Sequence, residues 1–269
     1  MITHNGKKID YIEYGQGPAI LFIPGSFSTP AAWTAIQKLL PKDYRFISTS
    51  LCGYGTTEER RSIRNFRMDN QIEIIEAVVD KIGEPVHLVG HSFGGMVALA
   101  SALSGKFNVL SIATFEANPV TIIDPFQHHQ LFEETKKIKE DYEAAFHAGE
   151  KDAVRIIIDF WGGEGSFAAM PEVVREYCRQ TAFSNVLDWH TAFNFNAKIE
   201  DYASLSMPVL LARGANANKQ MLAITEALQT SIPNQRSAVI DGSGHFLITS
   251  HPNACAGLLA EFLREISVD

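Results

Sequence analysis

Val86-His87-Leu88-Val89-Gly90-His91-Ser92-Phe93-Gly94-Gly95, running on into Met96-Val97-Ala98-Leu99-Ala100, is the stretch whose reading decides the fold. Residues 86–90 read as a buried strand, and residues 92–103 as a helix. Between them stands Gly-x-Ser-x-Gly, with Ser92 on a sharp turn from strand to helix and glycine at 90 and 94. Such a turn exposes a serine hydroxyl, and the glycines leave room where side chains would collide. The amides that open the helix favour negative charge developing beside the serine. A bare Gly-x-Ser-x-Gly is common by chance; the strand before it and the helix after it make it specific. The bland reading is a small-residue turn that packs a helix against a sheet.

Working outward, residues 9–13 alternate and end at Gly15-Gln16-Gly17-Pro18, which predicts a strand and a turn. The apolar run 19–23, stopped by Pro24-Gly25, predicts a buried strand, and 44–48 another. Helices are predicted over 30–40, with Pro30 suited to the first turn, and over 68–82, where Gly83 ends an amphipathic pattern. Beyond the central stretch, strands are predicted over 109–115, 208–211 and 238–240, the last two followed by helices over 220–229 and 254–266. Strands alternating with helices predict an α/β fold, a mostly parallel sheet of about eight strands covered by helices on both faces. The rhythm breaks once. From about 120 to 205 the chain carries helical segments (126–146, 152–160, 171–181) and no convincing strand. This predicts a helical cap at 120–205 inserted into a core made of 1–119 and 206–269.

Composition bounds the function classes. Hydrophobic residues make up 46% of the 269 and charged residues 20%, enough apolar material for a sizeable core. The formal net charge of -8, with no basic cluster beyond Glu59-Arg60-Arg61, argues against a nucleic-acid partner. Cys52, Cys178 and Cys255 are odd in number and far apart, with no disulfide framework or metal spacing, so they read as free thiols of a reducing compartment. The polar start and the lack of a long apolar run predict a cytoplasmic chain with no membrane span. Homo-oligomer formation stays open.

A serine nucleophile needs a base from elsewhere in the chain. Gly242-Ser243-Gly244-His245 supplies it: His245 follows the last predicted strand in a glycine-rich loop, late in the chain as a Ser…acid…His order requires. His87 lies inside a strand and reads as a core histidine. His91 occupies the variable position of the turn. His128, His129 and His190 fall in the cap, within reach of a substrate, and His251 precedes Pro252 at the final helix.

On these residues the chain resembles the α/β-hydrolase superfamily along nearly its whole length. The resemblance rests on Phe22-Ile23-Pro24-Gly25 before a helix with Trp33, Leu51-Cys52-Gly53-Tyr54-Gly55, the serine turn, Met207–Gly214 and Asp241-Gly242-Ser243-Gly244-His245. It implies an α/β-hydrolase fold with the cap after the sixth strand. It also implies an oxyanion hole built from two backbone N–H groups, those of Phe93 and Ser26. Pro24-Gly25 stands where the family has His-Gly, a change that leaves the Ser26 donor in place; Ser50 stands where Asp is frequent. The family's usual acid is missing: Gly214-Ala215-Asn216-Ala217-Asn218 holds no carboxylate, and neither Asn216 nor Asn218 stabilises an imidazolium as a charge does. Some relatives, haloalkane dehalogenases among them, carry the acid after the sixth strand, and Glu116 falls at that point. Glu116 closes an apolar strand, an expensive place for an unpaired charge. A solvated strand-end Glu116, or Asp241 as the acid, are the alternatives.

The reading is a hydrolase of an ester or related acyl bond in a small, largely apolar substrate, working through Ser92, His245 and Glu116 by way of an acyl-enzyme. It calls for no metal and no organic cofactor. Haloalkane dehalogenation conflicts with the resemblance, since those relatives carry Asp where Ser92 stands. C–C bond hydrolysis, acyl transfer and perhydrolysis would use the same three residues. A non-catalytic small-molecule receptor on the same fold is the reading from another class, and the intact Ser92 and His245 argue against it. Aromatic residues crowd the cap at Phe160, Trp161, Phe167, Phe183, Trp189, Phe193 and Phe195. Trp161, flanked by Gly162 and Gly163, is the one expected to face substrate, the others serving equally well as glue between cap and core.

Overall fold

The computed structural model describes residues 1–123 and 128–266. Strands β1 (Ile2–His4) and β2 (Lys7–Ile9) pair antiparallel apart from the rest. The main sheet has seven strands: β3 (Ile12–Gly15), β4 (Ala19–Ile23), β5 (Arg45–Ser48), β6 (Val86–His91), β7 (Val109–Phe115), β8 (Val209–Gly214) and β9 (Gln235–Ile240). Its order is β3-β5-β4-β6-β7-β8-β9, antiparallel only where β3 meets β5. The expected parallel sheet is therefore present with seven strands rather than about eight. The turn at Asn5-Gly6, both at positive φ, folds the first strands into a ribbon of their own.

The pleat sorts the core into two layers. Ile20 and Phe22 of β4, with Val89, Phe115 and Leu210, face α1 (Thr34–Leu39) and the C-terminal helix (Pro252–Ile266). Leu21 and Ile23, with Leu88, Ile112 and Leu211, face α2 (Asp69–Ile82) and α3 (Phe93–Leu103). Strand β4 lies between β5 and β6, so the chain winds to one side and then the other. The resulting crevice beyond the carboxyl ends of β4 and β6 is where ligands sit in open α/β sheets.

Between β7 and β8 the described residues hold no strand. They form α4 (His129–His147), α5 (Arg155–Gly162), the short α6 (Ser166–Ala169), α7 (Glu172–Gln180) and α8 (Ala182–Phe193), with 3-10 turns at Val120–Ile122 and Ile199–Ser204. Phe126, where the first of these helices was expected to begin, lies outside the described residues. Helix α8 was missed in the sequence because its buried face mixes Ser184, Asn185, Asp188 and Thr191 with apolar residues and blurs the periodicity. In this chain's own count the insertion follows β7, the fifth strand of the main sheet, because β1 and β2 stand apart. The chain then completes the core with α9 (Lys219–Ser231), α10 (Leu247–Ser250) and α11 (Pro252–Ile266).

His87 is a core histidine: it is buried in β6, and its Nδ1 lies 2.8 Å from Ser111 Oγ on β7. Burial holds its pKa down at about 4. The unfolded chain takes up a proton near pH 6.5, and the folded chain resists until about pH 4, so stability falls as pH drops through that window. We expect a urea-unfolding series from pH 7 to 4 to lose stability with a slope that is shallower in His87→Gln by roughly 1 kcal/mol per pH unit. An unchanged slope would show that His87 titrates normally in the folded protein.

Candidate active site

Ser92 sits at the junction of β6 and α3 with φ 52° and ψ −125°, a left-handed conformation that a side chain rarely adopts. Its N–H donates to the Phe115 carbonyl (3.0 Å), and a Cβ on Gly94 would collide with the carbonyl oxygens of Ile23 and Pro24. Neighbouring strand ends thus hold the turn in its strained form. Phe27 and Glu116, beside the same crevice, are also left-handed without being glycine. Strain concentrated in this way is a mark of a functional site.

His245 is buried, with Nε2 2.9 Å from Ser92 Oγ and Nδ1 2.8 Å from Glu116 Oε2. Glu116, 2% exposed, receives a second bond on Oε1 from the Gly214 N–H (2.8 Å). Burial pushes the Glu116 carboxyl up, but its bonds from His245 and Gly214 outweigh that and hold it below the usual range. An ionised Glu116 accepts from Nδ1–H, which leaves Nε2 as the acceptor for the Ser92 hydroxyl. The geometry therefore brings together the three residues picked from the sequence. Asp241, the rival acid, is exposed. Asn218 is not a partner of the imidazole: it caps α9 through Met221 N–H (2.8 Å) and donates to the Phe160 carbonyl (2.9 Å).

His91 was read only as the variable residue of the turn. It is buried with its Nε2 donating to the His245 carbonyl (2.8 Å), so it tethers the loop that presents His245. Burial, reinforced by the neighbouring His245, lowers its pKa to about 3 and keeps it neutral. The departure at Ser50 is also accounted for: its hydroxyl donates to Asp10 Oδ2 (2.6 Å), which also accepts the Thr56 N–H (3.0 Å), so a carboxylate from another loop serves this turn.

A cavity of about 600 Å³ opens above Ser92. Its walls include Ser26, Phe93, Trp161, Trp189 and His245. Trp161 stacks on the His245 ring at 5.2 Å. Of the other aromatic residues singled out in the insertion, Trp189 lines the cavity, whereas Phe160, Phe167, Phe193 and Phe195 pack against the core and Phe183 is 43% exposed. His190 is not on the wall: it stacks on Phe66 at 5.0 Å and lies 3.3 Å from Glu143.

Sequence reading missed a buried cluster at this site. Asp188 of α8 accepts from Ser26 Oγ (2.6 Å), Tyr54 Oη (2.6 Å) and Arg61 Nη1 (2.6 Å). Arg61, whose side chain is 0% exposed, also binds Glu59 (2.9 Å) and the carbonyls of Cys52 and Ser184. Burial raises the Asp188 carboxyl, and Arg61 with the two hydroxyls draws it partly back. Arg61 was visible only as part of a short basic run, and nothing in the local pattern marks Asp188 as its partner.

Residues 20–258 match the family model described as the alpha/beta hydrolase family, and the chain belongs to that family. Fluoroacetate dehalogenase of a Burkholderia species is 24% identical, the match covering 96% of this chain and 90% of that one. Pimeloyl-[acyl-carrier protein] methyl ester esterase of Aromatoleum aromaticum is 25% identical over 92% and 98% of the two chains. Among solved structures, the Vigna radiata epoxide hydrolase superposes with a TM-score of 0.77 at 19% identity, over 97% of this chain and 95% of that one. Relatives named as hydrolases along nearly the whole chain support hydrolase activity here.

Breaking a buried pair strands a charge, whereas replacing both members with apolar residues need not destabilise. We expect Arg61→Met to lower stability by about 3–5 kcal/mol, measured by urea unfolding, and the double variant Arg61→Met/Asp188→Leu to recover most of that loss. A double-variant loss equal to the sum of the losses in Arg61→Met and Asp188→Leu would mean the two charges do not depend on each other.

Proposed function

We propose that the protein is a serine hydrolase that cleaves an ester or related acyl bond. The observation that carries this reading is the unbroken line of hydrogen bonds from Ser92 Oγ through His245 to Glu116, at 2.9 and 2.8 Å. In the proposed cycle Ser92 Oγ attacks the acyl carbon while His245 Nε2 takes its proton. Glu116 stabilises the imidazolium that forms. His245 then passes the proton to the leaving oxygen, giving an acyl-Ser92. A water, deprotonated by the same Nε2, attacks that ester and releases the acid and free Ser92.

The oxyanion of each tetrahedral intermediate is assigned to the N–H groups of Ser26 and Phe93. Phe93 opens α3, where first-turn amides have no partner in the helix. The Ser26 loop lies against the nucleophile: a Cβ on Gly25 would sit 3.0 Å from Ser92 Cβ. We assign residues 120–205 the role of a cap, roofing the cavity with Trp161 and Trp189 so that apolar acyl groups are held away from water.

Halide displacement, the chemistry in the name of one relative, fits Ser92 poorly. A serine that attacks an sp³ carbon forms an ether, and water does not resolve it; a carboxylate forms an ester, which it does. An acyl carbon is the electrophile that a serine turns over.

With nitrophenyl esters of graded acyl length, the wild type is expected to release nitrophenol and Ser92→Ala to release none above background. Glu116→Gln should lower kcat on the order of 10⁴-fold, the scale of triad acid-to-amide changes, and Asp241→Asn far less. The reverse ranking of the two acids would remove Glu116 from the proposal. Wild-type inactivity on every ester, beside turnover of a C–C substrate, would move the reaction to the alternative class.

A further inference from the structure

The cavity above Ser92 is mostly apolar, yet two buried amides stand in its wall. Asn118 follows β7, two residues past Glu116, and is 8% exposed; Asn185, on α8 one turn before Asp188, is 1% exposed. The side-chain oxygen of each is shut away from solvent without a hydrogen-bond partner. A buried polar atom left unpaired destabilises a fold, and such atoms are rare unless something else satisfies them. The neighbouring Ser26 hydroxyl is already given to Asp188. One asparagine comes from the core and the other from the helical insertion, and α8 packs on the 3-10 turn at Val120–Ile122 just beyond Asn118.

The charge around them narrows the ligand. Among the described residues, no lysine or arginine lines the cavity. Arg61 is sealed behind Asp188, with a side-chain exposure of 0%. The acid on the wall is Asp188 itself. A substrate carboxylate would therefore meet no cation and one acidic side chain.

Resting on the serine-hydrolase reading above, we propose that Asn118 and Asn185 form a polar recognition subsite, and that the substrate is neutral, with an apolar acyl part interrupted by a hydrogen-bonding group such as a secondary amide or hydroxyl. A side-chain amide both donates and accepts, and so matches a group that does both. Sites built to bond a polar group discriminate strongly against analogues that lack it, because their own buried groups then go unpaired.

Three nitrophenyl esters of equal chain length test this: those of N-butanoyl-β-alanine, octanoic acid and suberic acid, the last with a free carboxylate. The wild type should favour the amide ester over the octanoate by at least about tenfold in kcat/KM, with the suberate poorest. Asn118→Leu and Asn185→Leu should each erase that preference, read as the ratio of the kcat/KM values for the amide ester and the octanoate. Calorimetric titration of Ser92→Ala with the same esters reads the subsite without catalysis, and should give the same order of affinity. Turnover of the octanoate and amide esters at equal rates, with equal affinity, overturns the subsite and leaves the serine-hydrolase reading standing. Preferential binding of the amide ester to Ser92→Ala, with no turnover of any ester by the wild type, keeps the subsite and removes that reading. Variants that lower all three substrates alike, in a wild type without preference, assign the asparagines a structural role only.

Discussion

Glu116 closes a strand that is otherwise almost wholly buried, and a carboxylate there must be compensated at both oxygens. One oxygen takes the N–H of Gly214 at the end of β8, and the other takes His245 Nδ1 from the loop beyond β9. The N–H of Glu116 in turn donates to the Ala212 carbonyl at 2.8 Å, continuing the ladder between β7 and β8 past the last regular residue. Three strand ends are thus fastened at one acidic side chain, and the imidazole left facing Ser92 has its orientation set from behind. His91 adds a fourth attachment, from β6, by holding the carbonyl of His245 itself. The positive φ of Glu116 is a conformational cost that these bonds offset.

A second buried charge joins the two parts of the chain. Asp188 reaches from the insertion into the core, where it meets Arg61, Tyr54 and Ser26. Two well-formed charges in an apolar seam add little net stability over an apolar contact, but they admit one arrangement and penalise others. Because Ser26 is one of the partners, the placement of α8 and the placement of the loop after β4 are mechanically linked.

Much of this was legible in the sequence because it rests on local rules. The serine turn announces itself by glycines flanking a serine between an apolar strand and a helix. Glu116 came from the resemblance: the loop after β8 holds no carboxylate, some relatives carry the acid after the preceding strand, and Glu116 is the costly residue at that strand end. Less local features stayed hidden. The seven strands placed along the sequence are the seven of the main sheet, and the short ribbon β1-β2 before them, built largely from polar and exposed residues, gave no strand signal. Helix α8 buries Asn185, Asp188 and Thr191, so its pattern does not alternate between oil and water. The Asp188–Arg61 pair joins residues 127 apart in the chain, and no spacing rule reaches that far. Trp161 stood out by its flanking glycines, but Trp189 was separable from the five phenylalanines only once the walls of the cavity could be seen.

The central claim is that Ser92 is an activated nucleophile rather than a buried hydroxyl at a tight turn. Reaction with a fluorophosphonate, followed by intact mass and peptide mapping, measures that directly. The account predicts one adduct per chain, on Ser92, forming quickly in the wild type and absent from Ser92→Ala. An unreactive wild type, or an adduct mapped to any other residue, would contradict it.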